Sequence, residues 1–251
     1  MLTAERRRSI IHTLQRDGKV LASELSRALH VSEDTIRRDL RELAAAGALQ
    51  RVHGGALPRS PATASFTERQ QQVSGAKVAI ARAAVGLIRQ DQVIILDGGT
   101  TPLQVAQHLP SDLRATVITH SPPIALALAE HPLIEVILIG GKLYKRELVT
   151  TGAAAVEAFR NIRADLCFLG ISSVHPEIGI STLDLEEAYV KRAMIASAAE
   201  VVALTSAEKL GTASPYIIGP LSDLTHLVTE RSVSNEVLAP YRAAGLTVVR
   251  A

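Results

Sequence analysis

The run Val93-Ile94-Ile95-Leu96 is followed directly by Asp97-Gly98-Gly99-Thr100-Thr101. Four aliphatic residues and then a glycine pair read as a buried strand that ends in a tight turn and opens a helix. Glycines let backbone N–H groups approach a ligand, the hydroxyls of Thr100 and Thr101 add donors, and a helix N-terminus favours an anion. This is the chemistry of a phosphate cradle, although strand-glycine-helix turns also serve packing alone. Similar polar groups end other aliphatic runs: Thr119-His120-Ser121, Gly140-Gly141-Lys142 and Gly170-Ile171-Ser172. If those runs are parallel strands, their carboxyl ends gather the groups round one pocket. Lys142, Lys145 and Lys209 are candidate countercharges for an anion there. Asp184, Glu187 and Lys191 stand at the start of a further helical pattern, where the acids suit a capping role equally well.

A second chemistry lies near the N-terminus. Ser32, Thr35, Arg37, Arg38 and Arg41 share the polar side of one helical pattern, and Arg51 and His53 flank Gly54-Gly55. An α-helix fits the DNA major groove, and its first turns reach base edges. Arg37 and Arg38 are adjacent and so point about 100° apart. One can meet a guanine edge, worth ~1–3 kcal/mol of discrimination, while the other clamps a phosphate. Arg51 and His53 would touch flanking backbone or minor groove. The bland alternative is a basic face that serves solubility only.

The elements that must position these residues follow from the apolar spacing. Residues 4–16 form a helix with Ile10, Ile11 and Leu14 on one side, stopped by Asp17-Gly18. A second helix over 22–29 and a third capped by Ser32 are separated only by His30-Val31-Ser32, which forces a steep crossing. The third buries Ile36, Leu40 and Leu43 and ends near Gly47; Leu49–Val52 is a short strand and Gly54-Gly55 a turn. That order predicts a winged helix-turn-helix over 1–57. Residues 58–75, with Pro58, Ser60, Pro61 and Thr63 at their start, read as an interdomain linker. From 76 to 251 a helix over 76–89 precedes strands Val93–Leu96, Val117–Thr119, Val136–Ile139, Leu166–Leu169, Val201–Leu204, His226–Thr229 and Thr247–Val249. Helices over 102–109, 122–130, 152–161, 184–199 and 234–243 fall between most of them. The fold class is therefore α/β: a small DNA-reading domain joined to a larger domain with a mainly parallel sheet.

Bulk properties agree. In 251 residues, 47% are hydrophobic and 21% charged, enough for a sizeable core. Aromatics make up 3%, with no Trp, so the core is aliphatic. The net charge is +2, but residues 1–60 hold eleven basic against seven acidic side chains, which leaves −2 for the rest. A basic small end on an acidic large end suits a DNA reader attached to a sensor. The single Cys167 excludes an internal disulfide and a cysteine-clustered metal site, and its apolar neighbours predict an inert thiol. Neither a signal-peptide core after Arg6-Arg7-Arg8 nor a membrane-length apolar run is present, so a cytoplasmic protein is expected.

The stretches Gly18-Lys19-Val20, Val31-Ser32-Glu33-Asp34-Thr35-Ile36-Arg37-Arg38-Asp39-Leu40 and Arg51-Val52-His53-Gly54-Gly55-Ala56 resemble the N-terminal signature of the DeoR family of bacterial transcriptional regulators. The resemblance continues through Phe66 to Arg69 with Lys77, the Asp97–Thr101 turn, Phe168-Leu169-Gly170, and Gly179–Ala188 running into Val190–Met194. It implies that the helix beginning at Ser32 is the recognition helix. It also implies an effector domain similar in fold to ribose-5-phosphate isomerase and the CoA transferases, which senses phosphorylated sugars. Three positions depart from the family's usual pattern: His120 stands for Asn, Ser172 for Asp, and Ser206-Ala207-Glu208-Lys209-Leu210-Gly211 for Asp-x-Ser-Lys-Phe-Gly. The phosphate turn and Lys209 are kept, while groups that would meet sugar hydroxyls differ.

These readings predict a ligand-gated repressor of a sugar catabolic operon. Its partners are double-stranded operator DNA, a small phosphorylated sugar and further copies of itself as a dimer or tetramer. No catalytic residue, metal ligand or cofactor is assigned. The rival is a sugar-phosphate isomerase or CoA-transferase-like enzyme with an appended domain, using acids such as Asp97, Asp184 and Glu187 beside Lys209 for proton transfer. A constitutive architectural DNA binder would leave the polar strand ends without a role.

Overall fold

The computed structural model describes residues 2–61, 63–71 and 74–251. Ala62, Gln72 and Val73, within the expected linker, lie outside the described residues. The N-terminal domain opens with helix α1 (Thr3–Asp17), closed by Gly18, whose N–H caps the Leu14 carbonyl. A two-residue strand β1 (Val20–Leu21) leads into α2 (Ala22–Leu29) and α3 (Glu33–Ala45). Strands β2 (Gln50–Val52) and β3 (Gly55–Leu57) then form a hairpin whose tip is His53-Gly54, and β3 also pairs with β1. Ile10, Leu14, Leu25, Ile36, Leu40 and Leu49 are buried together beneath this wing. The three expected helices and the wing are present; β1 and β3 add the sheet that anchors it.

The segment after the wing is attached to the larger domain rather than spanning free solvent. The Ala213 N–H donates to the Pro58 carbonyl at 3.1 Å, and Ser60 Oγ donates to the Ser172 carbonyl at 2.5 Å. Helix α4 (Phe66–Gln71) follows and buries Phe66.

The larger domain continues with α5 (Gly75–Val85), β4 (Val93–Leu96), α6 (Thr100–Gln107), β5 (Ala115–Thr119), α7 (Pro122–Leu128) and β6 (Ile134–Leu138). The hairpin β7 (Lys142–Tyr144) and β8 (Val149–Thr151) comes next, then α8 (Ala153–Arg160), β9 (Ala164–Gly170), β10 (Ser173–His175) and β11 (Gly179–Thr182). Helix α9 (Leu185–Ala196), β12 (Ala198–Leu204), β13 (Tyr216–Gly219), β14 (His226–Thr229), α10 (Asn235–Ala243) and β15 (Thr247–Arg250) complete it. Seven strands form one wholly parallel sheet in the order β15-β14-β12-β9-β4-β5-β6. One face packs under α5, α6 and α7 through Ile80, Leu103 and Ile124, the other under α8, α9 and α10 through Phe159, Met194 and Leu238. Burial on both faces explains why these strands are continuous aliphatic runs rather than alternating ones. Cys167 lies in the middle of β9, wholly buried, and burial raises its thiol far above the reactive range.

The chain moves outward from β4 through β5 to β6, then returns to lay β9 on the opposite side of β4. The connections that leave adjacent strands β4 and β9 therefore run in opposite directions, which opens a crevice at the switch point. Among the described residues no helix is long and apolar enough to cross a membrane.

Candidate functional site

The structure offers two candidate sites, one at each end of the molecule. At the first, Ser32 caps α3: its Oγ accepts from the Thr35 N–H at 3.2 Å and lies 2.9 Å from the Thr35 hydroxyl. Both hydroxyls thus shape the helix start. Ile36, Asp39 and Leu40 are buried, while Arg37, Arg38 and Arg41 are exposed. Arg37 Nη2 sits 2.8 Å from Glu33 Oε2 and Nη1 3.7 Å from Asp34 Oδ1, so its charge is partly held along its own helix. Among the described residues Arg38, Arg41 and Arg51 form no ion pair, and they project outward together with His53 at the wing tip. Three positions along an α-helix turn through about 300°, so Arg38 and Arg41 stand about 60° apart on the exposed face.

Asp39 holds that face in place. Its carboxylate, wholly buried, accepts from Arg6 Nε at 2.5 Å and from Arg7 Nε at 3.1 Å, pinning α3 to α1. Burial pushes the Asp39 carboxyl up, but the two guanidinium groups more than offset this and hold it below the usual range.

The second site is the crevice between β4 and β9, a cleft of about 360 Å³ including its open mouth. Gly99 precedes α6 at φ +123°, a conformation that residues with side chains rarely adopt, and Thr100 and Thr101 at the start of the helix line the opening. Gly170 is required on the facing strand, because a Cβ there would lie 2.6 Å from the Gly98 carbonyl oxygen. Gly98, Gly99, Thr100, Thr101, Ser172, Glu187, Lys191 and Lys209 all line the cleft, joined by Arg69, Pro102, Glu147, Ile171 and Leu204.

Beneath the turn lies a saturated charge cluster. Asp97 is wholly buried and accepts from the N–H groups of Gly98 and Gly170, each at 2.8 Å, from His120 Nε2 at 3.0 Å, and from the Lys191 ammonium. Lys191 also donates to the Gly170 carbonyl at 2.8 Å and pairs with Glu187 at 3.2 Å, which uses all three of its protons. Burial alone would raise Asp97 and lower Lys191; their mutual attraction reverses both shifts. Asp97 is thus the foundation of the turn rather than a group exposed to the cleft. The other His120 nitrogen, Nδ1, lies 2.7 Å from the Thr150 carbonyl oxygen, which fixes the ring below the glycines.

Lys209 differs from Lys191. Its ammonium donates to the Ile171 carbonyl at 2.8 Å, and among the described residues no carboxylate pairs with it. Burial, with the Arg69 charge facing it, lowers its pKa to about 8. Arg69 is paired across the cleft with Glu147, whose carboxyl burial pushes above the usual range.

The remaining expected residues lie outside the cleft. Thr119 and Ser121 are buried at the end of β5, the Thr119 hydroxyl accepting from the Ser121 N–H. Gly141 lies against the Thr151 carbonyl, and Lys142 and Lys145 are exposed around β7. Asp184 caps α9, accepting from the Glu187 N–H at 2.9 Å. Arg69 and Glu147 were not anticipated as cleft residues: Arg69 stood in the Phe66–Arg69 stretch of the family resemblance without an assigned role, and Glu147 lies 78 positions away. Among the described residues no group of three or more His, Cys, Asp or Glu side chains is placed to hold a metal.

Comparison with known proteins matches both ends. Residues 6–61 match the family model for the DeoR-like helix-turn-helix domain, and residues 72–231 that for the DeoR C terminal sensor domain. The HTH-type transcriptional regulator GolR of Listeria innocua is 34% identical over 99% of this chain and 98% of its own length. The HTH-type transcriptional repressor GlcR of Bacillus subtilis is 34% identical over 92% of this chain and 90% of its own. Among solved structures, a ribose 5-phosphate isomerase from Methanocaldococcus jannaschii overlaps loosely, at TM-score 0.39 and 17% identity over 53% of this chain and 52% of that one. With one family model for each domain and full-length relatives on both sides, the chain belongs to the DeoR family of helix-turn-helix transcriptional regulators.

Proposed function

We propose that this regulator represses a sugar catabolic operon in the cytoplasm and that a phosphorylated sugar in the β4–β9 cleft controls its hold on operator DNA. One observation carries the reading: the cleft presents a recessed cation, Lys209, with no carboxylate partner among the described residues, alongside the glycine turn and the N-terminus of α6. Backbone N–H groups, two threonine hydroxyls and an unneutralised ammonium suit a phosphate. At the other end, Arg38, Arg41 and Arg51 are poised for DNA, with Ser32 and Thr35 ordering the helix start and Arg37 and His53 at the flanks. Relatives named as the GlcR repressor and as the glycerol-3-phosphate regulon repressor of Haemophilus influenzae support repression and a phosphorylated effector. One winged domain covers little DNA, so two or more copies of the chain act together on paired half-sites.

An enzyme is the second reading. Glu147 and Lys209 both have pKa values moved toward neutrality in one cleft, as proton-transfer groups do. The saturated Asp97 and Lys191 argue against it, since neither has a free proton site. The test is an electrophoretic shift of the chain's own upstream DNA, titrated with a panel of sugar phosphates. A shift relieved or strengthened by one of them supports the regulator. No preference for upstream DNA over random duplex, together with turnover of a sugar phosphate, would leave the enzyme reading standing instead.

A further inference from the structure

Residues 63–69 of the strap between the two domains are held by the β7–β8 turn, and Arg69 among them lines the cleft. The β7–β8 turn makes three contacts with residues 63–69. The Phe66 N–H donates to the Arg146 carbonyl at 2.8 Å, the Arg146 guanidinium donates to the Thr63 carbonyl, and Glu147 pairs with Arg69 on α4. Leu148, the next residue in that turn, has φ +51°, a left-handed conformation unfavourable for a branched side chain. Arg69 and Glu147 both line the cleft with Thr100, Thr101 and Lys209. An acidic side chain therefore already occupies a guanidinium that faces an anion site.

We propose that Glu147 is a built-in stand-in for the effector's phosphate, and that a bound phosphate takes Arg69 from it and so loosens the β7–β8 turn from the interdomain strap. This rests on reading the cleft as the effector site. A phosphate carries more charge than a carboxylate and offers a guanidinium the same two-pronged acceptor geometry. It also gains Lys209 and the α6 N-terminus, which Glu147 does not contact. Burial pushes the Glu147 carboxyl up, and Arg69 is the largest of the charges that oppose this, ahead of Lys191 and Arg146. Once displaced, the nearest cation it pairs with among the described residues is Arg146, whose Nε stands at 4.0 Å. Arg69 belongs to the segment that leads to the DNA-binding wing, so the exchange of partners converts occupancy into a shift of the strap. A ligand moves such an equilibrium only through contacts that differ between the two arrangements, and Arg69 supplies one.

The test uses the full chain, inorganic phosphate and glucose 6-phosphate as probes in calorimetry, and upstream DNA in anisotropy. Glu147→Gln should bind phosphate about tenfold more tightly than the unaltered chain, and Arg69→Gln about tenfold more weakly. Without any probe, Glu147→Gln should show the operator affinity of the unaltered chain saturated with phosphate. Lys209→Met separates this inference from its parent. If Lys209→Met loses phosphate while Glu147→Gln and Arg69→Gln stay within about twofold of the original, the stand-in is overturned and the cleft survives. If the unaltered chain binds neither probe, or all three variants bind as it does, the cleft is no anion site and both readings fall.

Discussion

The two ends of the molecule hold their cations in opposite ways. On α3 and the wing, Arg38, Arg41 and Arg51 are exposed and, among the described residues, unpaired, while the buried carboxylate beside them, Asp39, holds α3 against α1. In the cleft, the cations are recessed and most are already neutralised: Lys191 by Asp97 and Glu187, Arg69 by Glu147, with Lys209 alone left over. Exposed free cations suit a long polyanion, whose binding is strong, screened by salt and tolerant of small displacements. Recessed cations suit one small anion of defined charge, because each unpaired charge in a poorly solvated site demands a partner. In both places a buried aspartate anchors the backbone beneath the cations.

The largest effect should come from removing that support in the cleft. Asp97→Asn leaves the Lys191 ammonium with Glu187 as its only carboxylate and replaces an acceptor of four hydrogen bonds. Breaking a buried pair on one side destabilises by about 3–5 kcal/mol. Denaturant unfolding followed by circular dichroism should show the α/β domain weakened by that order, with phosphate binding lost. A variant within about 1 kcal/mol of the original would mean that the cluster is not the foundation of the turn.

The aspartates also mark where sequence reasoning stops. The parallel strands of the large sheet and their helices were legible, because runs such as Val93–Leu96 and Val201–Leu204 are aliphatic throughout and sit between helical patterns. The short antiparallel pieces were not: β1, β7, β10 and β13 span two to four residues, too few to show a period. Asp39 stands between two arginines and a leucine and looks like another surface charge; only its helical phase relative to Ile36 and Leu40 turns it inward. Asp97 and His120 were read as pocket residues from their strand-end positions. Such positions specify the end of the sheet but not which side chain points up into the opening and which down beneath the turn. Arg69 and Glu147 meet only through the fold.

A smaller but sharper break concerns the exposed arginines. Arg38→Ala should weaken operator binding about tenfold or more and lower the salt dependence by about one unit of slope. Arg37→Ala should do less, about threefold, because Glu33 and Asp34 already draw on its charge. Filter binding across a salt series reads both. If Arg37→Ala proves the more damaging, the ion pair opens on DNA, and the free structure misreports which arginine does the reading.

Acidity should affect the two ends differently as well. Burial lowers the Lys209 ammonium to about 8, with Arg69 and Lys77 as facing cations and Glu208 and Glu147 opposing them. A bound phosphate favours the charged ammonium and raises that value, so above pH 8 binding must take up a proton. Affinity for inorganic phosphate should therefore be flat below pH 8 on this account. It should fall by up to about tenfold per pH unit from 8 toward the ordinary lysine value. Calorimetry at pH 7.5, 8.5 and 9.5 checks this, and Lys209→Met should remove the slope. A slope that persists in that variant would assign the proton to Lys77, which burial also lowers.

The smallest effect tests whether a paired cation can be moved from one class to the other. Glu33→Gln deletes the carboxylate nearest Arg37 and leaves α3 capped by Ser32, whose bond to the Thr35 N–H does not involve Glu33. The freed guanidinium joins Arg38 and Arg41 on the exposed face, and one negative charge is removed from the surface that approaches the duplex. Operator affinity should rise about threefold at low salt and the gain should vanish at high salt, since screening erases exposed pair effects first. A loss of affinity instead would show that Glu33 itself contacts DNA. A carboxylate at the start of a groove-bound helix does so by accepting from a cytosine amino group. In that case the exposed face of α3 reads bases with an acid as well as with arginines, and the contrast between the two ends becomes one of burial alone.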